Sequence, residues 1–229
     1  PLYDAQINNT EVNKTREIVQ TLSIDKNKPT VLFAPAWDPG GILRTQIDEV
    51  LRQFAEMQHI NFIIKLHPVS LVSNKSRDYF FYTGGIDWRS YMEEQATLNT
   101  NIYFCQEAAI NPLFKIADVL ITDFSGVALG FFLEDKPVIS IDCPEYYEKV
   151  LPSWGEDGEL SRDHELFNNG RNASHLVTDI KLLKQAIEQA LQMPELFASE
   201  RQKIAKSLLY NPGRGTETML NTVDKLLNQ

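Results

Sequence analysis

The sequence predicts a doubly wound α/β fold built on a parallel sheet, and three observations carry that reading. Five short runs of strand-forming residues are apolar at consecutive positions, which is the mark of strands covered on both faces. Segments with helical spacing alternate with these runs. Polar and glycine residues gather directly after each run, where ligands bind in such sheets.

Residues 1–29 are polar, with one helical stripe through Val12, Ile18, Val19 and Leu22 and a break at Asp25-Lys26-Asn27-Lys28-Pro29, so they read as a lead-in helix and linker. The domain proper is expected over 30–229. Thr30-Val31-Leu32-Phe33-Ala34 is the first strand, stopped by Pro35. Leu43, Ile47, Val50, Leu51 and Phe54 follow at helical spacing. Ile60-Asn61-Phe62-Ile63-Ile64-Lys65-Leu66 is the second strand, ended by His67-Pro68. A helix over 88–98, a third strand over 101–105 and a short helix over 110–117 come next. Asp118-Val119-Leu120-Ile121-Thr122 is the fourth strand, and 124–134 reads as one helix apolar on nearly every side, hence buried. Lys136-Pro137-Val138-Ile139-Ser140-Ile141 is the fifth strand. Residues 151–175 hold Trp154, Gly155, Gly158, Asn168, Asn169 and Gly170 and read as a long loop and candidate lid. From Thr178 onward the pattern is helical, with a break at Asn211-Pro212-Gly213-Arg214-Gly215.

The 229 residues, 43% of them hydrophobic and 23% charged, suffice for a sizeable core and argue against a disordered chain. A net charge of −9 argues against a general nucleic-acid coat and leaves room for a local cationic pocket. The two cysteines, Cys105 and Cys143, read as reduced core thiols. No run is long and apolar enough to span a membrane, and no leader is visible. The chain opens on Pro1, so it is expected to be a piece of a longer protein.

The candidate site residues follow from the strand ends. Thr122-Asp123-Phe124-Ser125-Gly126 joins a strand to an apolar helix: Ser125 can cap it, the N–H groups of Ser125 and Gly126 can face an anion, and Gly126 allows close approach. The plainer alternative is an ordinary capped helix. His67, held extended by Pro68, could be a strand-end histidine bonded to a carbonyl, but its place at the carboxyl edge favours a pyrophosphate donor or a general acid. Pro35 and Trp37 flank the first loop, and its Gly40-Gly41 fits both a second N–H cradle and a simple helix start. Asp142 and Glu145 suit ribose hydroxyls or a solvated loop, and Arg214 suits an anion or a plain surface turn. Glu156, Asp157 and Glu159 lack metal-ligand spacing and read as a solvated face, so neither a metal nor a cofactor is expected. There is no G-x-G-x-x-G, Walker A, G-x-S-x-G or H-E-x-x-H pattern.

Four segments in order carry a family resemblance: Val31-Leu32-Phe33-Ala34-Pro35-Ala36-Trp37, Lys65-Leu66-His67-Pro68, Ala117 through Ser125, and Lys136-Pro137-Val138-Ile139. Over 15–147 the chain resembles the carboxyl-terminal half of the CDP-glycerol glycerophosphotransferases of bacterial wall teichoic acid synthesis. The resemblance implies a Rossmann-like, nucleotide-donor-binding half of a GT-B-like fold. It implies that His67 and the 122–126 turn meet the donor pyrophosphate. It further implies a polymer or lipid-linked acceptor, a missing amino-terminal domain that supplies the base and completes the site, and a cytoplasmic protein peripheral at the inner membrane face. Two departures stand out. Asp38 replaces the family's usual cation, and Phe124-Ser125-Gly126 replaces Tyr-Ser-Ser. The donor is therefore open between a CDP-polyol and a nucleotide sugar. A GT-B glycosyltransferase, a UDP-N-acetylglucosamine 2-epimerase-like enzyme and an inactive binding or scaffold module remain as rivals.

Overall fold

The computed structural model describes residues 4, 12–107, 109–154, 161–208 and 213–228. The acidic cluster Glu156, Asp157 and Glu159, the glycines Gly155 and Gly158, and Asn211-Pro212 lie outside them.

Six parallel strands form one sheet in the order β3-β2-β1-β4-β5-β6. They are β1 (Thr30–Phe33), β2 (Asn61–Ile64), β3 (Ile102–Phe104), β4 (Val119–Thr122), β5 (Val138–Ile141) and β6 (His175–Val177). Val31 lies opposite Phe62 on one side and Val119 on the other, so β1 is central. The chain winds outward from β1 to β3, then crosses back to place β4 on the other side of β1. That reversal leaves a crevice between the carboxyl ends of β1 and β4.

Alternate side chains enter different cores, as strand pleating requires. Val31 and Phe33 point into one core, where α3 (Ile47–Glu56), α5 (Trp88–Leu98) and α9 (Leu183–Gln192) pack. Phe54 of α3 stacks flat on Phe62 with ring centres 4.0 Å apart. Leu32, Ile63 and Leu120 point into the other core with α1 (Val12–Thr21), α6 (Asn111–Ile116) and α7 (Val127–Phe131). Ile18 and Ile24 are buried there, so the lead-in helix is packed into the domain. Lys136 donates from Nζ to the carbonyls of Phe114 (3.0 Å) and Ala117 (2.7 Å), tying the end of α6 to the start of β5. Cys105 and Cys143 are buried, free, and in different cores.

Three sequence expectations need correction. The helix after β1 is two helices, α2 (Ile42–Thr45) and α3, broken at Gln46, whose φ of −144° is not helical. The apolar stretch 124–134 is helical only from Val127, where α7 starts, and tightens to a 3₁₀ turn over Phe132–Glu134. Its first residues are held out of the helix because the Asp123 carboxylate takes the Ser125 N–H (3.3 Å). The segment 151–175 is not one long loop. It contains α8 (Glu165–Asn172) and, at its end, the start of β6. The remaining α-helices among the described residues are α4 (Tyr79–Thr83), α10 (Ala198–Leu208) and α11 (Gly215–Leu227). No helix among the described residues is long and apolar enough to cross a membrane.

Candidate functional site

A cavity of about 350 Å³ opens at the switch point. The β1 end contributes Ala34 and Pro35, the β2 end contributes Lys65 to Pro68, and the β4 turn contributes Ser125, Gly126 and Val127. Asn111 and Phe114 of α6 close the floor. Five of the site residues expected from sequence meet here: Pro35, His67, Pro68, Ser125 and Gly126.

His67 stands exposed at the rim. Its Nδ1 accepts the Val69 N–H (3.3 Å), which assigns the proton of the neutral ring to Nε2. Burial, and then the Lys65 charge, lower its pKa from the ordinary value. The ring is therefore a neutral Nε2–H donor near pH 7. Lys65 was not singled out in the sequence, although a cation inside an apolar strand run was a visible signal. It is 5% exposed, lines the cavity, and donates from Nζ to the Leu66 carbonyl (2.8 Å). Burial lowers its pKa.

Gly126 has φ −61° and a Cβ added there would meet nothing within 4 Å. Its bareness serves no internal packing and leaves the backbone open to the cavity. The Ser125 hydroxyl accepts the Val127 N–H at a long 3.4 Å. With α7 only five residues long, the helix end adds little field, so the cationic character rests on Lys65, with His67 adding a neutral Nε2–H donor.

The other expected residues lie elsewhere. Asp123 is 4% exposed and accepts from the N–H groups of Ala36 (2.9 Å), Ile42 (3.3 Å) and Ser125 (3.3 Å). It pins the two loops that flank the cavity, and burial pushes its pKa up to about 6 against those hydrogen bonds. Thr122 is buried and donates Oγ1–H to the Ala34 carbonyl (2.7 Å). Gly40 has φ +79° and a Cβ there would sit 2.9 Å from the Tyr146 backbone, while the Gly41 N–H goes to the Asp38 carbonyl (3.2 Å). Both glycines are thus explained by packing and turn geometry rather than as an N–H cradle. Asp142 is taken by Arg162 (2.7 Å) and Arg171 (3.6 Å). Glu145 pairs with Lys149 (3.1 Å), and Arg214 with Glu217 (2.8 Å). Trp37 leaves the cavity and joins a cluster of rings with Phe81, Tyr82 and Trp154. Asp38 is 8% exposed, and burial raises its pKa, with the Arg44 charge opposing.

The sequence profile of the CDP-glycerol:poly(glycerophosphate) glycerophosphotransferases matches residues 1–150. The chain belongs to this family. A teichoic acid poly(ribitol-phosphate) polymerase from Bacillus spizizenii is 33% identical over a 134-residue alignment that covers 54% of this chain and 18% of that protein. Among solved structures, the wall teichoic acid polymerase TagF superposes with a TM-score of 0.59 at 15% identity, covering 100% of this chain and 51% of that one. A UDP-GlcNAc 2-epimerase from Neisseria meningitidis, bound to UDP-GlcNAc, gives 0.53 at 15% identity over 97% and 52%. A trehalose-phosphate synthase from Burkholderia vietnamiensis gives 0.58 at 12% identity over 95% and 50%. These likenesses establish the fold: a six-stranded parallel sheet of the kind found in GT-B glycosyltransferases. This glycerophosphotransferase-family chain spans about half the length of those solved chains and under a fifth of the curated relative.

Proposed function

We propose that this chain is the donor-binding half of a glycerophosphotransferase, with residues 30–229 holding a CDP-linked polyol such as CDP-glycerol. The observation that carries the reading is the convergence of Lys65, His67, Ser125 and the open Gly126 on one cavity at the switch point. Family membership supplies the substrate class. A volume of about 350 Å³ suits the diphosphate part of such a donor, with a second half completing the enclosure. In the proposed reaction an acceptor hydroxyl on a polymer or lipid-linked precursor attacks the phosphorus that bears glycerol. The P–O bond to CMP breaks, and the acceptor proton leaves to a base outside this chain. Lys65 and the His67 Nε2–H meet the charge that develops on the departing phosphate. Asp123 acts by positioning, because it holds the 35–41 loop and the Ser125 turn in register. Action at the inner face of the membrane, on a surface polymer, belongs to the same proposal.

Calorimetric titration tests it. CDP and CDP-glycerol are expected to bind in preference to UDP, and His67→Ala to weaken binding by about tenfold, the value of one hydrogen bond to a charged group. Bound diphosphate favours the imidazolium, so the ratio of wild-type to His67→Ala affinity is expected to rise as pH falls from 8 to 6. Preference for UDP would replace the polyol donor with a nucleotide sugar. Equal binding by wild type and His67→Ala would remove His67 from the site.

A further inference from the structure

Asp123 holds the loops beside the cavity by hydrogen bonds, and a second element grips the same loops by packing. The turn Tyr146–Val150, which follows β5, winds as a π-helix, with the Leu151 N–H returning to the Tyr146 carbonyl. Such turns are rare and gather at functional sites. Tyr146 is 5% exposed, and its ring lies flat on Phe124, with ring centres 3.5 Å apart and planes 9° from parallel. Phe124 also meets the edge of Tyr147, at 6.1 Å between centres. Because Phe124 stands between Asp123 and Ser125, the stack bears directly on the turn that brings Ser125 and Gly126 to the cavity.

The backbone of Tyr146 meets the 35–41 loop. A Cβ on Gly40 would sit 2.9 Å from the Tyr146 Cα and N. A Cβ on Gly41 would sit 3.3 Å from Cζ of Phe124 and 3.1 Å from an Asp123 carboxylate oxygen. Neither glycine lines the cavity, so their missing side chains make room for this contact and not for a ligand. Farther along the same segment, Trp154 packs on Trp37 of that loop, with ring centres 5.6 Å apart. The turn has need of such support. Its own hydrogen bonds are long, 3.3 Å from the Ser125 N–H to Asp123 and 3.4 Å from the Val127 N–H to the Ser125 hydroxyl, and bonds of that length hold weakly. No hydrogen bond joins the Tyr146 hydroxyl to another described residue, so the ring itself makes the contact.

We propose that Tyr146 is a positioning residue, a wedge between the 35–41 loop and the 122–126 turn that sets where Ser125 and Gly126 stand against Pro35 and His67. This role rests on the donor reading, because its effect is to present those groups to a diphosphate.

CDP titration and amide resonances of the ligand-free chain test it together. Tyr146→Leu keeps an apolar side chain and removes the flat ring. It is expected to weaken CDP binding by about fivefold, the worth of one aromatic pair, and to move the Ser125 and Gly126 resonances. Tyr146→Phe keeps the ring and is expected to match wild type in both. Ile187→Ala, at a buried position on α9, is expected to lower the urea midpoint while leaving CDP affinity and those two resonances in place, so that lost stability alone does not mimic the effect. CDP affinity unchanged in Tyr146→Leu, or lost equally in Ile187→Ala, overturns the proposal. An equal fall in Tyr146→Phe and Tyr146→Leu overturns it too, by moving the effect from ring to hydroxyl. Should Tyr146→Leu fail to fold, Gly41→Ala replaces it: its φ of −75° suits any residue, and the added Cβ presses on Phe124 and Asp123. Wild-type resonances and affinity in that variant overturn the wedge. A wild-type chain that binds no CDP is a failure of the donor reading instead, and unmoved Ser125 and Gly126 resonances in ligand-free Tyr146→Leu then overturn the wedge separately.

Discussion

Gly126→Asp removes nucleotide diphosphate binding and leaves the fold intact. The backbone at Gly126 has φ −61° and ψ −6°, values that any residue adopts, and an added Cβ meets no atom within 4 Å. The substitution is therefore expected to change stability by no more than about 0.5 kcal/mol, as at an uncrowded surface position. Its carboxylate, however, enters the cavity where the proposed ligand places its own negative charge. Like charges held together with little water between them cost several kcal/mol, so CDP affinity is expected to fall by about 100-fold or more. Gly126→Ala adds bulk without charge and should fall between the two. Calorimetry beside a urea melt separates the effects. Wild-type CDP affinity in Gly126→Asp would mean that the phosphates lie elsewhere.

The largest effect on stability is expected at Asp123. Removing its side chain in Asp123→Ala leaves the buried N–H groups of Ala36, Ile42 and Ser125 without their acceptor. At about 1–3 kcal/mol for each unsatisfied group, partly relieved by local adjustment, the expected cost near pH 7 is about 3 kcal/mol. Binding falls as well, because both loops beside the cavity lose their common anchor. The pH dependence has a definite sign. Burial pushes the Asp123 pKa up to about 6 from the ordinary 3.8, so the folded state holds this proton where the unfolded state has lost it. The contribution of that proton to stability is full below about pH 4 and is lost as pH rises through 6. The stability advantage of wild type over Asp123→Ala should therefore be larger at pH 4 than at pH 7 in paired urea melts. An advantage that shrinks toward pH 4 would mean that the folded carboxylate is held ionised by its three donors.

Five strands were legible because four are buried at every position and the fifth, β3, is buried at Ile102 and Phe104 with Tyr103 half-buried between them, so each writes an apolar run. β6 was not. It has three residues, its first is a histidine and its middle one is exposed, so it writes no apolar run. The 124–134 stretch is apolar enough for a longer helix, but apolarity reports burial rather than backbone geometry, and the Asp123 carboxylate decides where the helix begins. Pro35, His67, Ser125 and Gly126 were singled out from the strand ends alone, whereas the switch point that joins them depends on the strand order, which local sequence does not carry. Gly40 did not, because the backbone that crowds it belongs to Tyr146, more than a hundred residues along the chain. Asp142 likewise finds its partners, Arg162 and Arg171, in a segment whose fold the sequence concealed. For Arg214, left open between an anion and a surface turn, the local signal is Glu217 three residues on, a spacing at which helical charges pair.

The central claim is that the cavity at the carboxyl ends of β1, β2 and β4 holds the nucleotide diphosphate. Amide chemical-shift mapping of the labelled chain during CDP titration tests it most directly. The account predicts that the largest shifts fall on residues 125–127 and 65–67, saturating together, with Gly126 among the strongest and Arg214 unmoved. Saturable shifts that gather instead around other cavities, such as those at Arg44 and Trp88 or at Glu17 and Cys105, would contradict it.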